Sequence, residues 1–227
     1  MFPLLQIVDS TAKTIANAPE VKENIELLDL FMKGGWAMIP IVILSILALV
    51  IFIERFITIY GASKIDSNFI NNIREYLMSG KIDAAKSLCK NTNKPIARLV
   101  EKGIKRIGKD FDVIERAVEN EAKLEMYKLE KHMNYLSIIA GIAPMVGFLG
   151  TISGVINIFF RIAQTNELSI GVIAGGLYEK MVTSGAGLLV GIFAFVGYNI
   201  LNSMIDGVAN NLEKSSVEFM DLLNEPG

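Results

Sequence analysis

The 227-residue chain has one cysteine, Cys89, and one histidine, His132. A single cysteine excludes an internal disulfide framework. Cys89 reads instead as a small packing residue in a reduced compartment. A single histidine excludes paired-histidine metal motifs, and no carboxylate cluster has metal-ligand spacing. There is no phosphate-binding glycine loop and no nucleophile elbow. Neither an enzyme nor a metal or cofactor site is expected, and His132 reads as an interfacial residue. Basic excess is also missing, with 22 Lys and Arg against 24 Asp and Glu. That removes the electrostatic footprint of a nucleic-acid binder. Residues 1–8 are apolar, but no Lys/Arg-rich region precedes them. A signal peptide is therefore not read here, and residues 1–33 are treated as mature sequence.

Charge is also absent locally. Residues 34–53, 133–160 and 181–205 hold no charged side chain over 20, 28 and 25 positions. About 20 apolar residues, rising about 1.5 Å each, cross a hydrocarbon core of about 30 Å. Buried helices of soluble proteins run only about 8–20 residues. The pattern predicts an all-α integral membrane protein with three transmembrane helices. The third is expected to begin early, near Ile170.

Basic residues set the orientation. Residues 62–132 hold 15 Lys and Arg, residues 1–33 hold three, and the 161–171 connection and the tail after Ile205 hold one each. The large loop is expected in the cytoplasm, with the N-terminus outside. The expected layout is a periplasmic segment 1–33, a first span 34–60 and a cytoplasmic helical region 61–132. A second span 133–162, a periplasmic loop 163–170, a third span 171–205 and a cytoplasmic tail 206–227 follow. Trp36 and Tyr60 flank the first span as interfacial anchors. Its interior has one hydroxyl, Ser45, and no stripe of small residues, so it reads as an outer helix facing lipid.

Punctuation residues divide the rest. An amphipathic helix is expected at 24–32, capped by Asn24. In the large loop, helices are expected at 67–79 before Gly80, at 82–90 before Asn91, and from Pro95 to Ile107 before Gly108. Residues 112–131 contain no Gly or Pro and are expected to run unbroken into the second span. The tail 206–224 is expected to lengthen the third span in the same way. Pro144 removes one backbone bond and should kink the second span.

Glu179 is the conspicuous residue. With a boundary near Gly171, it lies about 10–12 Å inside the third span. A charge at the centre of a span costs about 2.5–3.5 kcal/mol on insertion scales, and by default such a residue marks an ion pathway. A carboxyl that can be neutral or ionised there can carry protons. The competing reading starts the span later and makes Glu179-Lys180 an interfacial pair. At about 100° per residue, Glu179, Thr183, Ala186, Val190 and Gly197 form one small and polar stripe, with Ser184 at its edge. Antiparallel packing brings Thr151 of the second span to a comparable depth, on a face with Gly147 and Gly154. A hydroxyl bonded to the carbonyl four residues back in its own helix is the alternative for Thr151. Two helices of one chain cannot enclose a pore, so a homo-oligomeric ring is expected.

The segment 143–151, Ala-Pro-Met-Val-Gly-Phe-Leu-Gly-Thr, resembles the second-span motif of the MotA/TolQ/ExbB proton-channel family. The segments 174–179 (Ala-Gly-Gly-Leu-Tyr-Glu) and 183–188 (Thr-Ser-Gly-Ala-Gly-Leu) resemble its third-span motif. Residues 27–36 and Ile53-Glu54-Arg55 are similar to its approach to the first span. Three spans match the ExbB and TolQ branches, since the flagellar stators have four. The resemblance implies a homopentamer in the bacterial inner membrane. Its pore would hold two copies of an ExbD- or TolR-like single-span subunit and drive a TonB- or TolA-like transducer. It implies a proton path lined by Glu179, Thr151, Thr183 and Ser184. Ser184 stands at the third-span threonine position, five residues after the glutamate, and Thr183 just before it. Gly147 and Ala186 are candidates for the pore or partner interface. So is Lys180, which departs from the family's small apolar residue. Its stem allows it to snorkel outward or to meet a glutamate of a neighbouring subunit. The chain has no intramembrane aspartate, so a partner helix is expected to supply the second titrating group. The TonB-linked role is the leading expectation. A TolQ-like envelope motor and a non-conducting scaffold are the alternatives.

Overall fold

Helix boundaries fall largely where the sequence punctuates. The computed structural model describes residues 34–64, 68–165 and 170–224, the side chains of Thr165, Val172 and Glu179 excepted. The helices are α1 (Met38–Ser63), α2 (Phe69–Met78), α3 (Ile82–Asn91), α4 (Pro95–Ile104), α5 (Phe111–Glu130), α6 (Met133–Thr165) and α7 (Ile170–Asn224). No strand occurs among the described residues. The helix expected at 24–32 lies outside them, as do residues 166–169 of the loop expected at 163–170, whose residues 163–165 and 170 are helical instead.

Local chemistry explains the stops. After α2, Gly80 takes φ 68°. The Gly80 N–H bonds the Leu77 carbonyl at 3.0 Å and the Lys81 N–H bonds that of Tyr76 at 2.9 Å. This is the paired closure that a left-handed glycine allows at a helix C-terminus. Pro95 opens α4 in the first turn, where a missing N–H costs nothing. α4 stops at Ile104, short of the expected Ile107. The Arg106 and Ile107 N–H groups bond carbonyls three residues back, Gly103 at 2.9 Å and Ile104 at 3.3 Å. The last turn thus tightens before Gly108 at φ 92°.

The helix expected to run unbroken from 112 through the second span is two helices. Lys131 is extended, and His132 takes φ 70° between α5 and α6. Nη1 of Arg55, on α1, donates to the Lys128 carbonyl at 3.3 Å. A last-turn carbonyl without an intrahelical partner is thereby satisfied from another helix, so α5 can end. Histidine also enters the left-handed region more readily than most residues.

The third span and its tail form one helix, as expected. α7 has 55 residues, about 80 Å at about 1.5 Å each, far more than a hydrocarbon core requires. α6 continues through Pro144.

Among the described residues, three helices are long and apolar enough to cross a membrane, and the chain is a membrane protein. On α1 the buried residues Ile41, Ala48, Arg55 and Ala62 recur every seventh position. One narrow face therefore packs on the chain, while Ile39, Ile43, Ile46, Leu49 and Val50 are exposed. Trp36 and Tyr60, both exposed, stand near its two ends.

At the other end, α2–α5 and the last part of α7 build a polar-surfaced head. Its core includes Ile73, Ala85, Cys89, Ile96, Leu99, Val118 and Phe219. Phe219 lies over Gly103, where an added β-carbon would meet its ring. Burial, aided by the nearby Glu101 charge, pushes the Cys89 thiol up to about 12, as suits a structural cysteine.

Candidate functional site

The membrane end is organised by close contact of α6 and α7. Glycines make it possible, because each missing side chain admits a neighbour. Built β-carbons identify what each glycine touches. Gly191 lies against the Pro144 ring and, at 3.0 Å, the Ala140 carbonyl. Gly187 would meet the Ala143 carbonyl at 2.6 Å and Gly147 Cα at 3.0 Å. Gly147 would meet Ser184 Cα and the Thr183 carbonyl, each at 3.1 Å. Gly150 faces the Thr183 methyl at 3.1 Å and Ala37 at 3.0 Å, and Gly176 faces Ile158 at 2.8 Å. Successive partners climb α6 while descending α7, so the two helices are antiparallel. The small-residue approach is the mode by which helices associate in lipid.

This register fixes depths. Thr151 stands level with Thr183. The backbone of Glu179 stands level with Val155, one turn or about 6 Å from Thr151 along the axis. The Glu179 carboxyl lies outside the described side chains.

Each remaining candidate has a definite location. Thr183 is 0% exposed, and its Oγ1 donates to the Gly34 carbonyl at 2.8 Å. Thr151 is half-buried and turns its hydroxyl onto the Phe148 carbonyl of its own helix at 2.6 Å. The same-helix bond weighed for Thr151 is present, reaching three residues back. Ser184 and Ala186 are half-buried, and Gly147 is buried in the crossing. Within the stripe, Thr183 and Gly197 are fully covered by the chain itself, and Val190 is half-buried. Gly197 would meet Phe52 of α1 at 2.9 Å. The half-buried Lys180 lays its stem across Gly154 and brings its amine beside Gly35. The structure thus gathers Gly147, Thr183, Ser184 and Lys180 at one crossing with the start of α1.

A second polar centre, not anticipated from sequence, lies where the head meets the spans. Glu125 on α5 is 1% exposed. Arg98 of α4 donates to both its oxygens, from Nε at 2.8 Å and Nη2 at 2.5 Å. Lys128 Nζ adds a third bond at 2.5 Å. Burial acts most strongly on the carboxyl and works to raise its pKa. The Arg98 and Lys128 bonds and charges outweigh it, and the net shift is below the usual carboxylate value. The Lys128 carbonyl accepts from Arg55, which also pairs with Glu54. His132 Nδ1 stands 3.8 Å from Glu54. A polar chain therefore joins α4, α5 and α1 beside the α5–α6 break. A sequence signal existed: Ile114, Val118, Glu125 and Leu129 share one face of α5, and three of the four are apolar.

Known proteins are similar to this chain in sequence. The "biopolymer transport protein ExbB-like 1" of Synechocystis sp. is 28% identical over 187 residues, covering 78% of this chain and 71% of its own. The "biopolymer transport protein ExbB" of Salmonella typhimurium is 41% identical over 71 residues, 31% of this chain and 29% of its own. The "Tol-Pal system protein TolQ" of Haemophilus influenzae is 24% identical over 109 residues, 48% of each chain. A family profile matches residues 91–214, which take in α4, α5, the whole α6–α7 crossing and the carboxyl-bearing turn at Glu179, and on that match the chain belongs to the MotA/TolQ/ExbB proton channel family.

Proposed function

We propose that this chain is the channel subunit of an ExbB–ExbD-type motor in the bacterial inner membrane, using the proton gradient to energise TonB-dependent transport across the outer membrane. The observation that carries the reading is Glu179, a carboxyl-bearing residue within the apolar length of α7 in a chain of this family. A charge held there needs protein or water around it. A ring of copies, five in this reading, supplies both. The lumen holds two single-span ExbD-like helices, which bring the second titrating group, and a TonB-like protein receives the motion. α1 faces lipid on the outside. The basic loop puts the head and the α7 tail in the cytoplasm and residues 1–33 in the periplasm. One charge crossing about 100 mV releases about 2.3 kcal/mol, so a few protons suffice to bias a two-state element by several kcal/mol.

In this reading Glu179 takes up and releases the proton, with Ser184 and Thr151 as the nearby hydroxyls along the path. Glu179→Gln keeps the shape and removes the titration. The variant should assemble with its partner at normal level and lose proton-driven activity. Full activity would instead support a non-conducting scaffold. The TolQ relative favours a second reading, an envelope-constricting Tol-Pal motor with the same chemistry. Complementation of strains lacking either system separates the two.

A further inference from the structure

Lys180 and Thr183 are three residues apart on α7 and therefore share a side of that helix. That side meets α6 and the turn that precedes α1 at once. Thr183 Oγ1 bonds the Gly34 carbonyl at 2.8 Å, and its methyl borders Gly150 of α6. The Lys180 stem fills the groove left by Gly154, where a β-carbon would overlap Cγ and Cδ and stand 2.6 Å from Cε. The amine ends 3.2 Å from where a Gly35 β-carbon would lie. Gly35 takes φ 69°, so a side chain is disfavoured there by conformation as well as by space. The amine thus reaches the turn before α1 while its methylenes stay packed on Gly154.

We propose that Lys180 and Thr183 form a latch that ties α7 to the Gly34-Gly35 turn just before α1 and to the Gly150–Gly154 face of α6, fixing the height and rotation of the turn that bears Glu179. Lys180 is a positioning residue in this scheme. Gly154 and Lys180 are a complementary pair, since a short side chain at 180 leaves the groove empty and any side chain at 154 blocks the stem. The latch stands on these contacts, and its effect on proton movement rests on the carrier role of Glu179. Through the latch, α1 and α7 move as one body at this end. Displacing the carboxyl-bearing turn by about 1 Å is enough to cost a large factor in rate.

The test uses the full complex with its single-span partner, reading assembly and proton-driven activity separately. Gly154→Ala should lower activity on the order of tenfold, and adding Lys180→Ala should relieve the clash and bring activity back up to the several-fold-reduced level of Lys180→Met, not to that of the original chain. If Gly154→Ala also lowers assembly, the double variant should recover assembly too. Lys180→Met keeps the stem and removes the ammonium. It should assemble normally with activity reduced several-fold, and Lys180→Arg should regain it. Absence of rescue in the double variant overturns the latch. So does wild-type activity in both Gly154→Ala and Lys180→Met. Glu179→Gln is the control. If it is fully active, the carrier reading fails. If it is inactive while the latch variants behave as wild type, the latch alone fails.

Discussion

The two ends of the molecule are held together by opposite means. In the α6–α7 crossing, Gly147, Gly187 and Gly191 let backbone meet backbone, and residues 133–160 and 181–205 carry no charge. In the head, large side chains such as Leu99 and Phe219 fill the core, and a carboxylate is buried between two cations. The solvent explains the contrast. Lipid tails are as apolar as leucine, so burying bulk gains little there and close approach gains dispersion contact. Water surrounds the head, so burying apolar bulk stabilises it. A charge is tolerated inside because it is fully paired. Each end should therefore fail to a different kind of substitution.

The largest effect is expected from Arg98→Ala. It removes the two-bond partner of Glu125 and leaves the buried carboxylate with Lys128 alone. Breaking a buried pair in this way costs about 3–5 kcal/mol, with the remaining lysine holding the value near the lower end. Arg98→Met with Glu125→Leu, which removes both charges, should be close to neutral. Amide hydrogen exchange on the solubilised protein checks both. In Arg98→Ala, protection should fall in α4 and α5 and persist between Gly147 and Gly191. Equal loss at the crossing would mean that the two ends are one cooperative unit.

A smaller effect separates two glycines of α7. Ala at 187 would bring its β-carbon 2.6 Å from the Ala143 carbonyl. The obstacle is backbone, so the helices must part, at about 1–3 kcal/mol. Nothing lies within 4 Å of a β-carbon at 185. Gly185→Ala should gain helix propensity, about 0.8–1 kcal/mol. Thermal unfolding in detergent should move in opposite directions for the two variants. If Gly185→Ala is neutral in the isolated chain but lowers the oligomer fraction, that position is where neighbouring copies touch.

The sequence was most legible where the physics is local. Three apolar runs, the continuation of α7 from the third span into the tail and the stop at Gly80 follow from length, hydropathy and glycine. The parts that were missed depend on residues far apart. The α5–α6 break needs Arg55 to reach a carbonyl 73 residues away. Helical arithmetic put Thr183 on one stripe with Glu179, but it could not give its neighbour, Gly34, 149 positions distant. Glu125 looked like one more acid in a Glu- and Lys-rich helix, and only the register of its apolar neighbours marked it as interior. The path of Lys180 was open in the sequence because it depends on Gly154 and Gly35, on two other segments.

The smallest predicted effect is on acid stability, and it sharpens the same contrast. Burial tends to raise the Glu125 pKa, but Arg98 and Lys128 hold it below the usual value. A carboxyl with a lower pKa in the folded state than in the unfolded chain binds fewer protons when folded. Its contribution is therefore complete above the unfolded value of about 4.3 and fades as pH falls through the folded one. Acidification should loosen the head while the backbone contact of α6 and α7 at Gly147, Gly187 and Gly191, which involves no charged group, stays protected. Glu125→Gln, which has no such proton to gain, should be less stable at neutral pH and less sensitive to acid. If the variant and the original chain lose head protection in parallel between neutral pH and pH of about 3, a different carboxylate governs the transition, and the buried pair is held by packing more than by charge.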